Sequence, residues 1–295
     1  MLAILVMALW GSLFPMIKIG YAAFNIVSSD IPTIILFAGM RFTFSGIILI
    51  CISSVKAKCF DLPKKHEILP ILLGALVTII LHYSFTYLAL SIGEGSKTAI
   101  VKQICFLFLG CFAFLFDKSD RFTVNKAIAA ILGFCGIIAT AYDGTAIVFA
   151  LGDLLLLLAS VCSAAGTIIS KKATQIVAPM KFVAYSQFFG GVFLLAAGLI
   201  LGGKITHIDP KAIGVFLYIC TASITAYTLW NMLLKSGSVS KLSIIKFTEP
   251  LFAVIFSGII LGENIFRLSY LIALILMLAS LLIENNVFSI SKKEK

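Results

Sequence analysis

A chain of 295 residues that is 61% hydrophobic and only 12% charged, with a mean hydropathy of +1.11, has too little polar surface for a water-soluble globular domain. Its net charge of +10 therefore belongs to the loops of a membrane protein and not to a nucleic-acid interface. There is no C-x-x-C among the seven cysteines, the histidines His66, His82 and His207 are far apart, and no H-E-x-x-H, G-x-S-x-G or P-loop occurs, so neither a metal nor another cofactor is expected.

A helix needs about 20 apolar residues to cross the hydrocarbon layer, and on that rule the chain is an all-α integral membrane protein with ten spans. The first, Leu2–Gly20, begins at once with no charged leader, so it reads as a spanning helix and not as a signal peptide. Pro32–Ser53, Ile68–Leu90, Thr98–Phe116 and Thr123–Ala141 complete one half. Phe149–Ser170, Met180–Leu201, Ala212–Leu234, Leu242–Leu261 and Arg267–Ile283 form the other. Nothing alternates with the period of two that barrel strands need. Lys and Arg check the count. One set of loops carries Lys56, Lys58, Lys64, Lys65, Lys118, Arg121, Lys126, Lys171, Lys172, Lys181, Lys235 and the tail lysines. The opposite set carries only Lys97, Lys204, Lys211 and Arg267. That bias puts both termini in the cytoplasm and agrees with an even number of spans.

The halves repeat. "GEGSKTAIVKQICFLF" from Gly93 matches "GSVSKLSIIKFTEPLF" from Gly237 without gaps, pairing Ser96 with Ser240, Lys97 with Lys241 and Lys102 with Lys246. The same offset pairs Tyr83 with Tyr227. It spans five helices, an odd number, so the halves insert with opposite topology. The expected division is 1–145 and 146–295, two inverted five-helix repeats with a midplane site between them.

Within the spans, polar side chains mark the candidates. Lys97 and Lys241 start their helices and can snorkel to the headgroups. Lys102 and Lys246 lie five residues deeper, roughly 140° around the helix at 3.6 residues per turn. They face either a cavity or an ion-pair partner, and Lys246 has such a partner in Glu249 three residues on. Glu249 precedes Pro250, which takes a backbone N–H out of the helix. It is read either as a coupling carboxylate or as a brace at the kink. Tyr83 and Tyr87 share one helical face, as do Tyr227 and Asn231. With Trp10, Gln103 and Trp230 they offer polar tips on apolar bodies, suited either to an amphipathic solute or to interfacial anchoring. His82 is a proton-linked candidate or a packing residue. Arg41 is expected to brace the interface by bonding backbone carbonyls. The small residues of "SVCSAAGTIIS" (Ser160–Ser170) allow close helix approach.

"LWGSLFPMIK" (Leu9–Lys18), Arg41, "YLALSIGEGSKTAIV" (Tyr87–Val101), "GDLLLLLASVCSAAGTIISKK" (Gly152–Lys172) and "SKLSIIKFTEPLFAVIFSGIILGE" (Ser240–Glu263), in that order and spacing, resemble the ten-helix permeases of the drug/metabolite transporter superfamily, the EamA type in particular. The resemblance covers essentially the whole chain. It departs at Ser163, where many members carry an aromatic residue, and at "FDKSD" (Phe116–Asp120), where the second half has "LGE". It implies a cavity lined by helices one, three and four of each half, and export or exchange of small metabolites such as amino acids or amphipathic compounds. The expected partners are thus the lipid bilayer of a bacterial cell membrane, a small-molecule substrate, and a proton or counter-solute. A monomer and a homodimer both fit. Two alternatives stand beside this reading: an exchanger of phosphorylated or other anionic solutes using Lys102 and Lys246, and a passive channel. An enzyme is not expected, because facing helices carry no cluster of His, carboxylate or nucleophile.

Overall fold

The protein is described from a computed structural model, which covers residues 1–102, 124–141, 150–206, 208, 210–236, 242, 245–246 and 248–284. Gln103, Cys105, Phe106, Lys241, the "FDKSD" segment and the tail lysines lie outside the described residues. The described part is built of helices. α1 (Leu2–Ala23) carries Pro15 internally. α2 (Ile31–Ala57) starts where the Asp30 side chain accepts from the Thr33 backbone N–H at 3.1 Å, and it ends at Lys58, whose φ of 53° leaves the helical region. α3 (Lys65–Gly74) starts where Glu67 Oε2 accepts from the Lys64 N–H at 2.7 Å. It runs through a π-helical segment, Ala75–Leu81, into α4 (His82–Ile92). α5 (Gly95–Val101), α6 (Val124–Ala141), α7 (Leu151–Ile176), α8 (Pro179–Ile200), α9 (Pro210–Ser236), α10 (Thr248–Leu261) and α11 (Leu268–Glu284) follow. Among the described residues six helices are long and apolar enough to cross a membrane, counting α3 to α4 as one.

The tightest pairing joins α2 to α8, and glycine makes it possible. A methyl group built on Gly39 would come within 2.2 Å of the Leu195 backbone nitrogen, and one on Gly191 within 2.2 Å of the Thr43 nitrogen. Gly46 meets Phe188 in the same way, and Gly198 meets Leu36. One offset relates Gly39 to Gly191 and Gly46 to Gly198, and it also relates their partners. Each contact therefore has a reciprocal copy, as a two-fold axis generates. Backbones this close gain dispersion and exclude lipid where no hydrophobic force draws helices together. Around this pair, α1, α2, α4 and α9 bury one apolar cluster that includes Met7, Phe14, Phe37, Phe42 and Leu234.

A charged node closes one end of the bundle. Lys181 Nζ lies 2.8 Å from Asp61 and 3.0 Å from Glu67. Ser53 Oγ donates to Asp61, and the Tyr185 hydroxyl donates to the Asp61 carbonyl. Burial pushes the Asp61 carboxyl up, but the Lys181 and Ser53 hydrogen bonds outweigh it and hold it below its ordinary value of 3.8. A depressed carboxyl contributes stability above its unfolded value and loses that contribution as pH falls through the folded value. Lys181→Met is therefore expected to lower stability by about 1–2 kcal/mol near neutral pH, between the values for exposed and buried pairs. Melting curves check this: the gap to wild type should shrink below about pH 4, and a gap independent of pH would contradict the node.

Candidate functional site

Several helices meet around one cavity. α1 approaches the start of α10 because residue 11 is glycine: a methyl there would come within 2.7 Å of Phe252 Cβ and 2.8 Å of the Ala253 nitrogen. This brings Trp10 to the α9–α10 junction. The Trp10 and Trp230 rings pack edge to face at 5.3 Å, and the Lys246 ammonium lies 5.1 Å from the first centroid and 5.3 Å from the second. On the other side the π segment re-phases the helix before α4, with Thr78 bonded back to the Gly74 carbonyl at 2.7 Å. Thr78, His82, Tyr83 and Thr86 then line the cavity, facing Ser163, Gly166, Thr167 and Ser170 of α7. The atom-free space is about 720 Å³ including its solvent-open part.

The electrostatics are lopsided. Arg41, Lys102 and Lys246 line the cavity, and Glu249 is the one carboxylate among its described lining residues. Arg41 is fully buried. It donates from Nε at 2.9 Å and Nη2 at 2.5 Å to Ser223 Oγ on α9, and from Nη1 at 2.6 Å to the Tyr87 hydroxyl on α4. The Phe42 ring lies 4.7 Å from its guanidinium carbon, with Tyr83 and Tyr87 slightly farther. Aromatic faces and hydroxyls thus replace part of the hydration that burial removed. The Lys102 ammonium, just beyond α5, lies 5.4 Å from the Phe14 ring centroid and 5.9 Å from that of Tyr83. Three polar atoms in the cavity wall meet no hydrogen-bond partner among the described residues: Glu249 Oε2, Asn231 Oδ1 and Trp10 Nε1.

Of the residues singled out from the sequence, Trp10, His82, Tyr83, Lys102, Tyr227, Trp230, Asn231, Lys246 and Glu249 all line this cavity. Tyr83 and Tyr227, 144 positions apart, meet hydroxyl to hydroxyl at 2.5 Å. Tyr87 stands behind the wall, where Arg41 holds its hydroxyl and its carbonyl accepts from Tyr21 at 3.0 Å. Gln103 lies outside the described residues. A His82 ring nitrogen, Nδ1, donates to the Ala159 carbonyl at 2.8 Å and so ties α4 to α7. Arg41 corrects an expectation: its partners are side-chain hydroxyls and not backbone carbonyls. The guanidinium lies between α4 and α9, where Tyr87 and Ser223 present their hydroxyls to it. The serine and threonine face of α7 escaped sequence reading because hydroxyl residues are common in helix contacts. The spacing of Ser163, Thr167 and Ser170 on one helical face was the available signal.

Beyond the cavity, polar contacts tie helix ends together. Lys18 Nζ lies 3.0 Å from the Gly93 carbonyl and 3.2 Å from Glu263. Glu94 pairs with Arg267 at 2.9 Å and accepts from the Tyr270 hydroxyl. Lys97 pairs with Asp153 at 2.9 Å. Lys171 Nζ donates to the Leu234 carbonyl at 2.7 Å. Lys18 and Lys171 thus each reach the end of a cavity-lining helix, α4 and α9 respectively.

Comparisons with known proteins agree with this architecture. The model of the EamA-like transporter family matches residues 1–142 and again 150–285. The chain is 28% identical to the uncharacterized transporter YvbV of Bacillus subtilis, over 85% of this chain and 82% of that protein. It is 27% identical to a probable amino-acid metabolite efflux pump of Salmonella typhimurium, over 97% of this chain and 94% of the other. It is 26% identical to the uncharacterized inner membrane transporter YedA of Escherichia coli K12, over 93% and 87%. A crystal structure at 15% identity superposes with a TM-score of 0.67 across 95% of both chains, a likeness of fold alone.

Proposed function

The chain belongs to the EamA-like transporter family of the drug/metabolite transporter superfamily, and from that premise we propose that it is a secondary active exporter of small metabolites, amino acids foremost, working by alternating access. It is a multi-pass membrane transporter and not an enzyme. The observation that carries the finer reading is the composition of the cavity wall, which takes matched elements from both halves of the chain: α1 and α7, α4 and α9, Lys102 and Lys246. Ten helices in two inverted repeats, with both termini cytoplasmic, fit this pattern. The twice-matching family model supports it, as do the reciprocal α2–α8 glycine contacts and the Tyr83–Tyr227 pair. The Lys18 contacts at one end of the cavity and the Lys171 contact at the other would then close opposite membrane faces in turn. The Salmonella relative, a probable amino-acid metabolite efflux pump, supports amino acids as the first class to try.

Reconstitution tests the proposal. Proteoliposomes preloaded with unlabelled amino acids should accelerate entry of labelled amino acid, because a carrier returns faster loaded than empty. A pore gives no such acceleration and would refute alternating access. The surplus of cations over carboxylates favours a second reading, an exchanger of phosphorylated or other anionic solutes at Lys102 and Lys246. Counterflow with organic phosphates and none with amino acids would select it.

Glu249 is the group proposed to couple flux to protons. It is buried, it lines the cavity, and its Oε2 meets no donor among the described residues. Glutamine keeps the shape of the side chain but has no exchangeable carboxyl proton, so Glu249→Gln is expected to slow pH-driven export and to flatten its pH profile. Unchanged pH dependence in this variant would sink the coupling role.

A further inference from the structure

The three unmet atoms of the cavity wall have a chemical complement. Glu249 Oε2 and Asn231 Oδ1 are acceptors, and both residues are 2% exposed. The orientation of the Asn231 amide is set by its own Nδ2, which donates to the Tyr227 carbonyl at 3.0 Å and leaves Oδ1 for another donor. Trp10 Nε1 can only donate. A bound group that satisfied all three would bring at least two N–H or O–H donors and one acceptor. Lys102 adds a charge requirement. Arg41 and Lys246 are buried, whereas Lys102 keeps intermediate exposure while lining the same cavity, so it is the lining cation most open to a solute.

We infer that this cavity reads a zwitterionic head group by two separate devices: Glu249 Oε2 and Asn231 Oδ1 take the ammonium, and Lys102, with the Trp10 indole N–H, takes the carboxylate. An ammonium carries three N–H donors and a positive charge, so it meets both orphaned acceptors and pairs with the only lining carboxylate among the described residues. A carboxylate accepts from Lys102 and from Trp10 at once. Leu13, Phe14, Ile17 and Leu90 leave an apolar flank for the rest of the molecule. A hydroxyl in place of the ammonium offers one donor and no charge, and leaves a buried acceptor unpaired. An ester in place of the carboxylate brings no negative charge to Lys102. Sites built around polar partners reject analogues that lack them far more strongly than apolar pockets reject a change of size. The assignment rests on the amino-acid reading proposed above.

A binding series with purified protein tests it, using L-phenylalanine, L-3-phenyllactate (ammonium replaced by hydroxyl) and L-phenylalanine methyl ester (carboxylate masked). Wild type should prefer phenylalanine to each analogue by about tenfold or more. In Glu249→Gln the preference over phenyllactate should collapse toward unity while the preference over the ester stays. In Lys102→Met the pattern should reverse. Asn231→Leu should follow Glu249→Gln, which keeps the test open if one variant folds poorly, and melting temperature with gel filtration reports folding for each. Variants that change both preferences equally, or neither, overturn the two-device assignment while leaving amino-acid transport standing. Wild type that binds none of the three compounds but binds organic phosphates overturns the amino-acid reading and this inference together.

Discussion

Gly191→Leu is expected to yield no folded, monodisperse protein. A Cβ at this position would sit 2.2 Å from the Thr43 backbone nitrogen and 2.6 Å from the Phe42 carbonyl carbon. Both obstacles are main chain in the middle of α2, so no rotamer change clears them. Adding methylenes to a packed core ordinarily costs about 1–3 kcal/mol, because side chains can shift. Here whole helices must separate, and the reciprocal contacts at Gly39, Gly46 and Gly198 part with them. Against a total stability of roughly 5–15 kcal/mol, that loss removes the fold. Gly191→Ala should already lower the melting temperature strongly, and Gly39→Ala should match it, since the two sites are reciprocal. Gly214 on α9 has nothing within 4 Å of a built Cβ, so Gly214→Leu is the control and should behave as wild type. Size exclusion and melting curves of the four variants decide the matter. A well-folded Gly191→Leu protein would show that α2 and α8 are not packed in this way.

Arg41→Lys is expected to keep the fold and to lose transport by about tenfold or more, although charge is conserved. The planar guanidinium bridges two helices, holding Ser223 on α9 with Nε and Nη2 and Tyr87 on α4 with Nη1. A lysine ammonium is a single point on a flexible stem and cannot hold both in that geometry. One lost hydrogen bond to a charged group is worth about 1.5–3 kcal/mol, a factor of roughly 10 to 100. Tyr87 packs at 6.0 Å against Tyr83, which meets Tyr227, so release of Tyr87 loosens the tyrosine pair between the halves. Arg41→Met tests the charge separately. Removing a buried cation relieves its desolvation, so stability should fall little, while transport should fall at least as far as in Arg41→Lys. Wild-type transport by Arg41→Lys would mean that only the charge matters.

Many of the residues that line the cavity were legible in the sequence, and the reason is environmental. In hydrocarbon a polar side chain is costly wherever it has no use. Lys102, Lys246, Glu249, Tyr83, Tyr227 and Trp230 therefore stood out from an apolar background, and all of them line the cavity. Helical periodicity was less decisive. It put Tyr83 and Tyr87 on one face, yet only Tyr83 reaches the cavity, because Arg41 claims the Tyr87 hydroxyl. The π segment at Ala75–Leu81 left no mark in the apolar pattern, since an extra residue in a turn changes no hydropathy.

Composition and patterning by themselves determined the class of molecule, the positions of the long apolar helices among the described residues and the residues that must be shielded from lipid, because each follows from the cost of putting polar atoms in hydrocarbon. The tertiary structure alone decided which shielded residues face one another. Arg41 turned to hydroxyls and not to carbonyls, Lys246 came to lie over two tryptophans, and Glu249 kept an oxygen without a donor among the described residues. Such choices depend on how closely helices approach and at what rotation. Those are set by backbone contacts at Gly11, Gly39 and Gly191, whose significance appears only when the opposing chain is in place.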